Sequence, residues 1–161
     1  STRFFKEAGA MAVKLEGAHL ATVEKLTAAG IPVMGHLGLT PQSLHQLGGY
    51  RVQGRTDGDA ILEAALALEK AGAFAIVLEL VPADLASRIS KALTVPTIGI
   101  GAGTDCDAQV LVWTDMAGLT ANPPKLAKAY RNLRKELMGA AQEFAEEVRS
   151  GKFPTESQTF H

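Results

Sequence analysis

One cysteine among 161 residues leaves Cys106 without an internal disulfide partner, which fits a reducing compartment and makes a small packing residue its simplest reading. No apolar run approaches the roughly eighteen residues that a bilayer span requires. The opening Ser1-Thr-Arg-Phe-Phe-Lys6 also lacks the apolar region and cleavage site of a signal peptide. Charge of one sign is missing too: 16 basic residues stand against 17 acidic ones, for a net charge of −1, so nothing points to a nucleic-acid partner or an anionic membrane. These absences make the chain read as cytoplasmic. What is present is core material, 47% hydrophobic residues with 20% charged, which argues against disorder and for one domain over residues 1–161. The missing initial Met and the opening in mid-helix lead to the expectation that this domain lacks an N-terminal portion.

The chain repeats a unit of helix, glycine and strand. Thr2–Ala8 reads as the end of a helix stopped by Gly9, and Met11–Glu16 as a strand. Ala18–Ala29 carries Leu20, Val23 and Leu26 at helical spacing, closes at Gly30 and leads to a strand over Ile31–His36. Residues 35–55 are too rich in glycine and turn formers for a plain connector, and long loops of this kind are commonly functional. Asp57–Ala71 resumes a helix with Ile61, Leu62, Ala65, Leu66 and Leu68 on its apolar side, and Phe74–Leu80 is the next strand. A helix beginning at Pro82 faces inward with Leu85, Ile89 and Leu93. Val95–Gly103 gives a fourth strand, Gln109–Trp113 a fifth, and residues 124–150 a long amphipathic C-terminal helix. Short apolar strands alternating with helices imply a parallel α/β sheet. Five strands are too few to close a (β/α)8 barrel, although glutamates at strand ends suit one.

Those glutamates are the most telling feature. Glu7-Ala-Gly-Ala-Met-Ala-Val-Lys-Leu-Glu16 and Lys70-Ala-Gly-Ala-Phe-Ala-Ile-Val-Leu-Glu79 share one pattern, and each places a carboxylate seven residues after its glycine, at a strand end. In alternating β/α folds the carboxyl ends of parallel strands carry the chemistry. Lys14 and Glu16, two residues apart, share a strand face. They read either as an ion pair of little consequence or, if buried, as groups awaiting a ligand or metal. Glu79, flanked by Ile76, Val77, Leu78, Leu80, Val81 and Pro82, is expected to be desolvated, as suits a general base; the structural alternative is a cap for the helix at Pro82. His36 opens the glycine-rich loop and is a candidate lining residue, whereas His19, His45 and His161 carry no such signal. Gly99-Ile-Gly-Ala-Gly103 lacks the full dinucleotide fingerprint and the lysine of a phosphate loop.

The words Val13-Lys-Leu-Glu-Gly17, Val33-Met-Gly-His-Leu-Gly-Leu-Thr-Pro-Gln-Ser43, Leu47-Gly-Gly-Tyr-Arg-Val-Gln-Gly-Arg55, Val77-Leu-Glu-Leu-Val-Pro82 and Ile98-Gly-Ile-Gly-Ala-Gly103 together resemble the ketopantoate hydroxymethyltransferase family nearly end to end. The resemblance implies a (β/α)8 barrel, of which this chain holds about the last five β/α units plus a C-terminal helix, assembled as a homo-oligomer, often a decamer. It implies transfer of a hydroxymethyl group from 5,10-methylenetetrahydrofolate to 3-methyl-2-oxobutanoate, giving 2-dehydropantoate in pantothenate synthesis, with Mg²⁺ or another divalent metal polarising the keto acid. By motif match, Glu79 is the implied base, Lys14 binds substrate, His36 lines the pocket and Glu16 belongs to the metal site, directly or through water. No residue is assigned to the folate. The family's two metal-binding aspartates and its substrate-binding serine have no counterpart here, Thr114 stands where the family usually has His, and Asn122-Pro-Pro124 is short. Two alternatives are a Mg-dependent lyase or mutase of the phosphoenolpyruvate/isocitrate-lyase type, which lacks the Gly-Gly-Tyr-Arg-Val-Gln-Gly-Arg word, and a non-catalytic barrel fragment.

Overall fold

Apolar β-rich words separated by amphipathic helices fold as expected into parallel β/α units. A computed structural model describes residues 1–43, 49 and 51–161. The loop read over 35–55 is therefore described only in part: residues 44–48 and Tyr50, inside the Gly-Gly-Tyr word, lie outside the described residues, as does His45. Along the chain come α1 (Thr2–Ala8), β1 (Val13–Glu16), α2 (Leu20–Ala28), β2 (Val33–Gly38), a 3₁₀ turn (Pro41–Ser43), α3 (Gly58–Lys70), β3 (Ala75–Glu79), α4 (Ala83–Ala92), β4 (Thr97–Ile100), β5 (Ala108–Gln109), α5 (Trp113–Met116), α6 (Leu133–Ser150) and a 3₁₀ turn (Glu156–Gln158). The chain forms two compact units, residues 1–110 and 111–161.

In the first unit all five strands are parallel and ordered β1-β2-β3-β4-β5. Parallel neighbours need crossovers, and α2, α3 and α4 supply the first three. Sequential order with no reversal is the wall of a (β/α)8-type barrel rather than a doubly wound sheet. One face of the sheet meets the helices: Val33, Leu37, Ile76 and Leu78 pack with Val23, Ala65, Leu68, Leu85, Ala86 and Ile89 into the core. Burying each valine, leucine or isoleucine side chain among these contributes about 1.5–3 kcal/mol, so this face holds the unit together. Cys106 joins that core, as a packing residue should. Leu66, read from the sequence as inward, is instead exposed, because with Ile61, Ala65 and Leu68 turned inward a 100° step per residue swings it away.

Two connections keep this unit taut. Glu69 Oε1, near the end of α3, accepts from Thr94 N, Thr94 Oγ1 and Val95 N at 2.7, 2.7 and 3.0 Å, and these bonds hold its carboxyl below the usual carboxylate range. Asp107 Oδ2 accepts from the buried Thr97 through its N–H at 2.8 Å and its hydroxyl at 2.9 Å, and those bonds hold Asp107 low as well.

The fifth strand is shorter than the expected Gln109–Trp113. Its last ladder bond runs from Val110 N to Gly99 O, and Val112 then accepts from Asp115 N and Met116 N, turning the chain into α5. The C-terminal helix likewise starts at Leu133 rather than 124. Tyr130 N and Leu133 N donate to Met116 O and Ala117 O, which diverts residues after Pro124 from helical bonding until the Asn132 side chain accepts from Lys135 N and caps α6. Gly151, at φ 70°, ends it where the sequence says it should. Among the described residues no helix is long and apolar enough to cross a membrane.

Candidate functional site

Register decides which side chains meet. Glu16 pairs with His36 across β1 and β2, His36 with Val77 across β2 and β3, and Gly38 with Glu79. In a parallel sheet paired residues project to one face, and residues two apart do the same. Lys14, Glu16, His36 and Glu79 therefore share the face opposite the helix core, with Glu16 and Glu79 closing their strands.

The four side chains form one connected group. Lys14 Nζ donates to Glu16 Oε1 at 3.3 Å and to His36 Nδ1 at 3.0 Å. His36 Nδ1 lies 3.9 Å from Glu16 Oε1, and His36 Nε2 lies 3.1 Å from Glu79 Oε2. That last approach is close enough for a hydrogen bond but off the line one needs, and Nε2 has no hydrogen-bond partner among the described residues. The side chains of His36, Glu16 and Glu79 are only 4, 10 and 13% exposed, whereas Lys14 is 42% exposed. Lys14 thus reaches from solvent over a buried imidazole and two nearly buried carboxylates.

Backbone geometry around Glu79 is specialised. Gly38, its neighbour on β2, has φ 88°, and a Cβ there would lie 2.1 Å from Glu79 O, so no larger residue fits. The space it vacates lets Leu39 N donate to Glu79 O at 2.8 Å. Immediately after Glu79, Leu80 takes φ 48°, a left-handed conformation rare for a branched side chain. Leu80 N donates to Ile100 O at 3.0 Å, and Leu80 O accepts from Gln53 N at 2.8 Å, so both neighbouring segments hold the turn. Glu79 is accordingly fixed by the backbone on either side, and the helix-cap reading gains no support: Pro82 is the N-cap position of α4, with no side-chain cap bond.

Glu16 is held differently. Its Oε1 faces Lys14, and its Oε2 accepts from Gln42 N at 2.9 Å, tying the end of β1 to the Pro41–Ser43 turn. Both oxygens are engaged. Among the described residues no group of three or more His, Cys, Asp or Glu could hold a metal. The residues on hand therefore do not fit a cation site by themselves: Glu16 is already bonded on each oxygen and paired with an ammonium, and Glu79 is the one further carboxylate of the group. Chemically, the group unites a cationic donor, a buried imidazole and a shielded carboxylate. Such a set can hold a small anion and take a proton from it.

All four residues singled out from the sequence meet here. The sequence reading missed the Gln42 amide and the Leu80 turn, since any residue supplies a backbone N–H and nothing in the word Leu78-Glu-Leu-Val81 signals a positive φ. A separate open cavity of about 480 Å³ is lined in part by Arg55, Asp57, Asp59, Asp84 and Arg88. Arg88 there is paired with Asp59 at 2.6 Å, and the remaining acids outnumber the one other arginine, so this cavity lacks the charge to attract an anion.

A family model described as ketopantoate hydroxymethyltransferase matches residues 1–156. Proteins named 3-methyl-2-oxobutanoate hydroxymethyltransferase from Frankia alni and Thermobifida fusca are 59% and 58% identical to this chain over 164 aligned positions, which cover 99% of it. A relative of the same name from Acaryochloris marina is 58% identical over 92% of the chain. The chain spans 54, 59 and 60% of the lengths of these three curated relatives.

Proposed function

The chain belongs to the ketopantoate hydroxymethyltransferase family, and from that premise we propose that it carries the proton-abstracting part of a site that transfers a hydroxymethyl group to 3-methyl-2-oxobutanoate. The donor would be 5,10-methylenetetrahydrofolate, and the product 2-dehydropantoate, a step of pantothenate synthesis. The observation that carries this reading is the convergence of Lys14, Glu16, His36 and Glu79 on one sheet face, linked through His36 and Lys14 by approaches of 3.0–3.9 Å.

In this proposal Glu79 is the base. Its carboxylate takes the C3 proton of the oxo acid, and the C–H electron pair moves toward the carbonyl oxygen to give an enolate. The C3 carbon of the enolate then bonds to the folate methylene carbon as a carbon–nitrogen bond to the folate breaks. The folate nitrogen freed by that break takes a proton, and water then attacks the methylene carbon as its second carbon–nitrogen bond breaks, leaving the hydroxyl on that carbon and a proton on the second nitrogen. Lys14, the flexible cation of the group, pairs with the substrate carboxylate, while the low exposure of Glu79 limits the water around its carboxylate. A divalent metal such as Mg²⁺ would polarise the ketone, and Glu16 is the residue proposed to take part in holding it. Because the described residues supply no complete ligand set, the chemistry assigned to this chain is limited to binding, orientation and proton transfer. A homo-oligomer of the decameric kind is proposed from family resemblance.

The test is exchange of the C3 hydrogen of 3-methyl-2-oxobutanoate with deuterated water, followed by NMR in the intact protein. Glu79→Gln is expected to slow exchange by about 10²–10⁴-fold, the usual contribution of a general base. Exchange at the unaltered rate removes Glu79 from the role.

A further inference from the structure

Lys14 Nζ lies 3.0 Å from His36 Nδ1, and an ammonium has three donors and no acceptor. The ring nitrogen facing it must accept, so a neutral His36 carries its proton on Nε2. That N–H belongs to a residue 3% exposed and has no hydrogen-bond partner among the described residues, even though Glu79 Oε2 stands 3.1 Å away. Buried donors are nearly always satisfied, and one that is not calls for a partner beyond the described residues.

We propose that Lys14, beyond pairing with the substrate carboxylate, also positions His36: by occupying Nδ1 it holds the ring as the Nε2–H tautomer, and this N–H donates to an oxygen of a small oxo-acid anion lying against Glu79. The identity of the ligand rests on the function proposed above. The arrangement gives His36 a discriminating role. A ligand with a carbonyl or carboxylate oxygen beside the carbon that faces Glu79 satisfies the donor, whereas an analogue with a methylene there leaves it unpaired and binds more weakly. Because Glu79 approaches Nε2 without bonding to it, the donor stays available and the carboxylate stays ready to accept a proton.

The test uses the full chain labelled with ¹⁵N-histidine, with the His36 ring signals identified by their loss in His36→Gln. Long-range proton–nitrogen correlation of the ligand-free protein is expected to show a protonated Nε2 and a bare Nδ1. Lys14→Met is expected to release the restriction and populate both tautomers, while Lys14→Arg, still a donor-only cation, keeps one. A ring protonated on Nδ1 in the parent protein, or a tautomer balance unchanged by Lys14→Met, overturns the positioning role. Adding saturating 3-methyl-2-oxobutanoate is expected to move the Nε2 proton downfield, and 3-methylbutanoate, which lacks the keto oxygen, to move it less. An Nε2 proton that neither compound moves overturns the donor role. If the tautomer and the shift are found but C3 exchange is absent, the proposed reaction falls and this inference stands.

Discussion

Glu16 and Glu79 end the same ten-residue pattern, yet the fold treats them as opposites. Glu16 has Lys14 on one oxygen and Gln42 N on the other, so it joins a strand end to the turn after β2. Glu79 is as nearly buried, but its side chain accepts no hydrogen bond from the described residues; its position is set by the backbone, through Gly38 on one side and the left-handed Leu80 on the other. A repeated word thus places two carboxylates equivalently along their strands, and the neighbouring loops decide which becomes an anchor and which remains free to react.

The contrast can be broken from either end. Glu79→Gln is expected to cost the most in turnover and the least in folding: C3 exchange falls by about 10²–10⁴-fold, while the urea midpoint stays close to that of the parent. Gly38→Ala reverses that order. A methyl group 2.1 Å from Glu79 O, on a residue at φ 88°, is expected to destabilise the protein by about 3 kcal/mol or more, seen as a lower urea midpoint at unchanged slope. Glu16→Ala should cost about 1.5–3 kcal/mol, the range for a hydrogen bond to a charged group, while Glu16→Gln, which keeps an acceptor for Gln42 N, loses less. A Glu16→Ala protein as stable as the parent would mean that Glu16 is no anchor.

The smallest effect expected is confined to acid. Glu69 and Asp107 are both held below their ordinary values of 4.5 and 3.8 by the bonds they accept. Groups with lowered folded-state values contribute stability that is complete above those ordinary values and is lost as pH falls through the lowered ones. Glu69→Gln, which keeps an acceptor but cannot titrate, is therefore expected to be slightly less stable than the parent at neutral pH and to converge with it below about pH 4.5, flattening the acid limb. Urea midpoints measured from pH 7 to pH 3 check this, and an acid limb of unchanged slope would contradict it.

The sequence disclosed the repeating β/α units, because glycine stops and apolar spacing are local properties, and it singled out Glu16 and Glu79 by their repeated place at strand ends, Lys14 by its strand face shared with Glu16, and His36 as the opening of the glycine-rich loop. What it hid was non-local or backbone-borne. The pattern on α6 made a helix legible, but Leu137 and Phe144 are exposed, since periodicity specifies a face and not what covers it. The end of β5 and the start of α6 depended on where particular N–H groups found acceptors, as did the bond from Gln42 N to Glu16. Nor does any side-chain preference foretell the positive φ of Leu80, which only the paired bonds to Ile100 and Gln53 explain.

In the proposed reaction the face bearing Lys14, His36 and Glu79 receives a small oxo acid with its acidic carbon toward Glu79. A crystal structure of the intact protein soaked with 3-methyl-2-oxobutanoate tests it most directly. C3 is expected within contact distance of the Glu79 carboxylate, with the ligand oxygens on Lys14 Nζ and His36 Nε2. A ligand bound elsewhere, with this face filled only by water, would contradict it.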